Sequence, residues 1–253
     1  MNPAANNLNP GLTWQERYLA RFYDRESGWI DGTEEFHNLC TTVIPRGGKI
    51  LEIGAGPSNP TSQFLSMLGE LHGLDPDPAV HENTALKSAK LLTRDQFPFE
   101  SGSFDACVSN YVLEHIQEPA SHLREVGRIL RCPGVYVFRT PNRFHYVSLV
   151  SSMTPHWVHD FVANRLRNCP TGSHDPYPTF YRMNSQGALR RMSASAGLSV
   201  DLLRMVEKEP SYGMSSRVLF LAFMAYERIV NSTNLAAGLR ANIFGVLRKG
   251  SGY

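Results

Sequence analysis

Residues 50–58 read Ile-Leu-Glu-Ile-Gly-Ala-Gly-Pro-Ser. An apolar run ends at Glu52-Ile53, a Gly-x-Gly turn follows, and a helix is expected from about Pro60. Glycines at 54 and 56 let the backbone pass close to a bound nucleoside. The helix N-terminus beyond them offers free N–H groups to an anion. The next apolar run ends at Asp75, nineteen residues after Gly56. A carboxylate there is placed to accept both hydroxyls of a ribose. These features point to a nucleoside ligand without identifying it.

Working outward, short apolar runs alternate with helical stretches. The runs are KILEI (49–53), ELHGL (70–74), KLL (90–92), FDACVS (104–109) and VYVFR (135–139). Helices are expected near 60–68, 79–88 and 119–130, the last with Leu123, Val126, Gly127 and Leu130 on one face. Strand and helix alternating in this way imply an α/β fold, a parallel sheet with helices on both sides. Ahead of the sheet, Trp14–Tyr23 and Glu34–Val43 carry helical spacing. After it, Ser185 caps a helix through Ala196, SVDLLRMV (199–206) reads as a strand, and NIFGVLR (242–248) reads as a closing strand. Residues 218–230 (VLFLAFMAYERIV) form a helix apolar nearly all round, which ordinarily means burial; the other reading is a surface that meets lipid or a partner.

The chain has 253 residues, 42% of them apolar and 19% charged, with a net charge of +2. That is long enough for a real hydrophobic core without disulfides or metals. No polybasic block stands out, which argues against nucleic acid as a partner. The four cysteines are far apart with no Cys-x-x-Cys pair, so neither a zinc site nor a disulfide framework is expected, and a reducing cytoplasm fits. There is no signal-like N-terminus, and the longest apolar run, Val218–Tyr226, is about half of a membrane span. A soluble, cytoplasmic protein is expected, with peripheral lipid contact left open.

NAD and S-adenosylmethionine both offer a ribose to Asp75. A dinucleotide fingerprint wants glycine where this chain has Asn59. The wider constellation is more specific: ILEIGAGPS, then GLDPDP, then FPFESGSFDACVSNYVLEHI (97–116), then LREVGRILRCPGVYVFRTPN (123–142). In that order it resembles the Rossmann-type, class I S-adenosylmethionine-dependent methyltransferases, in the broad group that includes quinone-pathway and natural-product enzymes. The resemblance implies a doubly wound, mostly parallel sheet with an antiparallel closing strand and a lid inserted after the fifth strand. It implies one methyltransferase domain over 1–253: a helical cap (13–46), a cofactor-binding core (47–142), an acceptor lid (143–183) and a C-terminal part of the sheet with the apolar helix (184–253).

Carried over residue by residue, the resemblance implies that Glu52 orients the glycine loop or meets the methionine end. Gly54 and Gly56 would line the methionine and ribose portion. Asp75 would hold the ribose diol and Pro76 would pack by the adenine. The position that usually supplies an acid to the adenine amine holds Thr93, so Asp95 and Gln96 are the candidates for that contact. Asn110 and Tyr111 would close the fourth strand beside the cofactor, with His115 on the following turn. Cys132-Pro133-Gly134 departs from the usual Pro-Gly-Gly, and Cys132 reads as a turn residue.

Methyl transfer is an in-line displacement, so the protein mainly has to hold acceptor and methyl in line. A base helps when the acceptor is a hydroxyl. The irregular segment 143–183 supplies His145, just after the fifth strand, and His174, beside Asp175, as candidates. Tyr177, Phe180, Tyr181 and Arg182 form either an acceptor wall or ordinary lid packing. Tyr18 and Tyr23 either close over the cofactor or simply pack. The expected function is transfer of a methyl group to a small natural-product or sugar-type acceptor, at oxygen ahead of nitrogen or carbon, with no metal. The alternatives are a lipid-like or quinone acceptor, a catalytically degenerate cofactor-binding scaffold, or a dehydrogenase, which Asn59 disfavours.

Overall fold

The computed structural model describes residues 12–93, 96–146, 148 and 177–250. Seven strands form one sheet: β1 (Lys49–Ile53), β2 (Glu70–Asp75), β3 (Ser88–Leu91), β4 (Phe104–Asn110), β5 (Leu130–Pro141), β6 (Leu198–Val206) and β7 (Asn242–Lys249). Their order is β3-β2-β1-β4-β5-β7-β6. The first five run parallel, and β7 lies between β5 and β6, antiparallel to both. This is the doubly wound, mostly parallel sheet with an antiparallel closing strand.

Each central strand is apolar on both faces because helices cover both. Helices α4 (Pro119–Ile129) and α5 (Gln186–Ser195) pack Leu123, Val126, Ile129 and Leu189 against one face, where Leu51, Cys107, Tyr136 and Phe138 point. On the other, α2 (Gly32–Val43) and α3 (Pro60–Ser66) bring Phe36, Cys40 and Leu65 onto Ile50, Ala106, Val108, Val135 and Val137. Several of the helices start where a side chain satisfies a free N–H group. Asp31 caps α2 and Ser185 caps α5. Asn59, the residue that breaks the dinucleotide fingerprint, caps α3 by accepting from the Ser62 N–H, with Pro60 at the first helical position.

Two expectations change. The helix expected over 79–88 does not form; Pro78–Glu82 is one short 3-10 turn. Asn83 then turns inward, and its Nδ2 donates to Ser62 Oγ at 2.9 Å and to the Gly56 carbonyl at 3.2 Å. Continuing the helix would withdraw that amide from the glycine turn. The apolar helix forms as α6 (Arg217–Ser232), yet it lies on the surface: Phe220, Glu227 and Val230 are buried, whereas Val218 is 75% and Ile229 65% exposed. Phe220 is the anchor, ringed by Trp14, Tyr18, Phe22 and Tyr23, three of them from α1 (Trp14–Phe22). That is the packing role for Tyr18 and Tyr23; the Tyr23 hydroxyl donates to Glu227. No helix among the described residues is long and apolar enough to cross a membrane. Most of the expected lid, residues 149–176, lies outside the described residues.

Candidate active site

Strand parity builds the site. On the face covered by α2 and α3, β1 presents Ile50 and then Glu52, β4 presents Ala106, Val108 and then Asn110, and β5 presents Val135, Val137 and then Arg139. Leu71 sets the same parity on β2, which ends at Asp75. Apolar residues hold this face until the carboxyl ends of the strands, where four neighbours finish in polar groups. Across the sheet the row reads Asp75, Glu52, Asn110, Arg139. Register pairs Asn110 directly with Arg139. Ligands of open α/β sheets lie along this edge.

At one end of the row, Asp75 accepts from the backbone N–H of Gly56 at 2.9 Å and from that of Asp77 at 2.8 Å. One N–H reaches each carboxylate oxygen, so a lone pair on each remains. Burial raises the Asp75 carboxyl on balance, opposed in part by the two N–H groups. At Gly54 the turn between β1 and α3 has no room for a side chain, since a Cβ there would stand 2.3 Å from Val112 Cγ2; Gly54 and Gly56 both have positive φ, 75° and 52°. Beside the turn runs a groove of about 630 Å³ lined by Gly54, Gly56, Asp75, Pro76, Phe97 and His115 among others. His115 Nδ1 lies 3.0 Å from the Pro178 carbonyl. Tyr177 also lines the groove, its hydroxyl donating to Asp77.

Mid-row, Glu52 is buried and accepts from Ser62 Oγ at 2.7 Å; burial pushes its carboxyl up to about 7. A hollow of about 310 Å³ brings together Glu52, Gly54, Thr61, Asn110, Thr33 and Arg139. Arg139 is 6% exposed. Its Nε donates to Asn110 Oδ1 at 2.7 Å, its outer nitrogens reach Thr33 Oγ1 at 3.3 and 3.4 Å, and its guanidinium lies 4.5 Å over the Tyr111 ring.

A cleft of about 770 Å³ opens on the far side of Tyr111, with Arg139, His145, Tyr181, Glu207 and Glu209 in its walls. Tyr111 lines both cleft and groove. Tyr111 and Tyr181 are the non-glycine residues held at positive φ among the described residues, 58° and 50°. Such backbone costs about 1–3 kcal/mol each and clusters at ligand sites. His145 is 3% exposed, its Nε2 has no hydrogen-bond partner, and it lies 3.6 Å from Glu207 Oε2. Burial moves both groups toward neutrality, the imidazole down to about 4 and the Glu207 carboxyl up to about 8. Glu207 also accepts from the Ala241 N–H at 2.6 Å.

Of the residues singled out from the sequence, Gly54, Gly56, Asp75, Pro76, Tyr111 and His115 line the groove, Glu52 and Asn110 the adjoining hollow, and His145 the cleft. Gln96 is exposed and lines a separate hollow with Lys49 and Lys90. Thr93 lines the groove. His174 and Asp95 lie outside the described residues. Arg182 donates to the Gln117 carbonyl at 2.6 Å, the packing alternative. Cys132 is an exposed free thiol on β5. The sequence reading missed Arg139, whose signal is a cation at the end of an otherwise apolar strand. It also missed Glu207 and Glu209, which carry no periodic signal. No cluster able to hold a metal occurs among the described residues.

Residues 51–138 match the family model described as "Methyltransferase domain". An uncharacterized methyltransferase of Mycobacterium sp. (strain JLS) is 32% identical over 102 residues, 39% of this chain and 40% of that protein. The chain thus spans about 40% of the length of the mycobacterial relatives it matches. A ubiquinone biosynthesis O-methyltransferase of Nitrosococcus oceani is 28% identical over 72% of this chain and 80% of its own. Among solved structures, geranyl diphosphate methyltransferase in complex with SAM shares the fold, with a TM-score of 0.54, 17% identity, and coverage of 95% of this chain and 92% of that one. The glycine turn, the row of strand-end polar groups and these likenesses converge: residues 51–138 match a methyltransferase domain, set in a Rossmann-like sheet.

Proposed function

We propose that the chain transfers a methyl group from S-adenosylmethionine to a hydroxyl of a small natural-product or sugar-type acceptor. The observation that carries this reading is Tyr111, one residue forming the wall between the cofactor groove and a cleft that holds a buried histidine whose Nε2 has no hydrogen-bond partner. The residues present fit the cofactor: a cradle that a Cβ on Gly54 would fill, and a carboxylate with a lone pair free on each oxygen for a ribose diol. The cofactor supplies a methyl on a sulfonium, a carbon already joined to a good leaving group. The protein then has to align and to remove one proton.

Asp75 holds the ribose and the glycine turn lets the chain close on it. Tyr111 and Tyr181 fix the acceptor's approach, which replaces lost entropy with orientation. His145 takes the acceptor proton on Nε2; burial keeps the imidazole neutral, the form a base needs. Glu207 steadies the imidazolium that results. The whole chain works as one methyltransferase domain, with 143–183 shaping the acceptor side. Free thiols at Cys40, Cys107 and Cys132 suit a reducing cytoplasm.

The experiment is incubation with methyl-¹³C S-adenosylmethionine and a panel of phenols, catechols and sugars, read by NMR. A methoxy carbon is expected; label found on nitrogen or carbon overturns the hydroxyl assignment. A second reading, a lipid-like acceptor, is favoured by the exposed Val218, Leu221, Ile229 and Leu235. Failure of the protein to float with vesicles removes it.

A further inference from the structure

A carboxylate oxygen buried without a donor costs free energy until something supplies one. Glu209 Oε2, in the wall of the cleft beside Tyr111, is such an atom among the described residues. The other charged groups of that wall already have partners. Asp31 caps α2 and pairs with Arg25. Lys208 binds Glu35 at 2.6 Å and the Ile30 carbonyl at 3.0 Å. Arg139 donates to Asn110 and Thr33. Lys208 and Arg139 act on Glu209 from a distance, which gives its oxygen no donor. We propose that the acceptor carries an ammonium group, which Glu209 binds in the cleft while His145 meets the acceptor hydroxyl; this rests on the hydroxyl-acceptor reading above.

A second observation points to the same ligand. His145 is 3% exposed, lines the same cleft, and leaves its Nε2 without a partner. An open acid and an open neutral base in one cleft match a ligand with one cationic and one hydroxyl group. Glu207 links the two points, 3.6 Å from His145 and within electrostatic reach of Glu209. Tyr146 and Tyr181 also line the cleft, and aromatic faces attract cations. An acidic acceptor is the rival occupant. It would meet Glu207 and Glu209, while Lys208 is already neutralised by Glu35. The arrangement also bears on which atom is methylated. A carboxylate at hydrogen-bond distance holds an amine in its charged form. An ammonium has no lone pair to attack the methyl, whereas the hydroxyl keeps its own and passes its proton to His145.

The test uses matched probes that differ in one ammonium group: tyramine against 4-ethylphenol, and glucosamine against glucose. Each is titrated by calorimetry into wild type and Glu209→Gln, both saturated with S-adenosylhomocysteine at neutral pH. Wild type is expected to bind the charged member of at least one pair roughly tenfold or more tightly, the worth of a charged hydrogen bond. Glu209→Gln is expected to bind both members of that pair alike. If the variant does not fold, the wild-type comparison still decides. A wild type with no preference for the ammonium in either pair, binding of neither member included, overturns the inference. A variant that keeps the preference does so too. Methoxy label from methyl-¹³C S-adenosylmethionine on the uncharged probes would then leave the hydroxyl reading standing. Label on the nitrogen of tyramine or glucosamine overturns both. Failure of wild type to bind S-adenosylhomocysteine overturns the function proposed above and this inference with it.

Discussion

The backbone N–H of Gly56 donates to Asp75 Oδ2 at 2.9 Å, tying the turn after β1 to the end of β2. The carboxylate therefore shapes the glycine loop and, in the function proposed above, also holds the ribose. Asp75→Ala removes both effects. It is expected to weaken S-adenosylhomocysteine binding by roughly 1.5–3 kcal/mol. Titration calorimetry checks this, and an unchanged affinity means that the ribose lies elsewhere.

Gly54 and Gly56 share a positive φ but differ in their neighbours. A methyl at 54 meets Val112 at 2.3 Å, whereas a methyl at 56 meets nothing within 4 Å. Gly54→Ala is expected to lose both stability and cofactor affinity. Gly56→Ala should cost only about the 1–2 kcal/mol of left-handed backbone. Thermal melts with and without ligand separate the two.

Much of this site was legible in the sequence. Glu52, Gly54, Gly56 and Asp75 sit in a strand–turn–helix pattern whose spacing is local, so the groove could be read directly. Arg139 was legible only as parity, since Val135, Val137 and Arg139 share a face that becomes informative once Glu52 and Asn110 lie beside it. Glu207 reaches His145 through pairing of β6 with β7 and β7 with β5, a long-range arrangement that no local pattern encodes. The failed helix at 79–88 follows the same logic, because Asn83 is held by the glycine turn, far away in sequence.

His145→Gln is expected to slow methyl transfer by roughly 10²–10⁴ while leaving the KM for S-adenosylmethionine unchanged. Because burial holds the imidazole near 4, the wild-type rate should not fall through the ordinary histidine range near 6.5. The Glu207 carboxyl ionises only as pH approaches 8, and its charge beside the imidazole strengthens the base. The rate should therefore climb from pH 7 to 9, and Glu207→Gln should flatten that climb. A pH–rate profile of the two proteins decides it.

Glu114, buried and accepting from the Thr140 hydroxyl, is pushed up from 4.5 to about 7 by burial. The folded state thus holds this proton more tightly than the unfolded chain. Its favourable contribution is complete below about pH 4.5 and is lost as pH rises through 7. Glu114→Gln keeps the neutral form at every pH. It is expected to match wild type near pH 4.5 and to be more stable by about 1–3 kcal/mol at pH 8.5, measured by denaturant titration at both.

The central claim is that the row from Asp75 to Arg139 holds S-adenosylmethionine. Calorimetric titration of the wild-type chain with S-adenosylhomocysteine and, separately, with NAD tests it most directly. The account predicts micromolar, one-to-one binding of S-adenosylhomocysteine and none of NAD. Folded protein that ignores S-adenosylhomocysteine, or that binds NAD in its place, contradicts it.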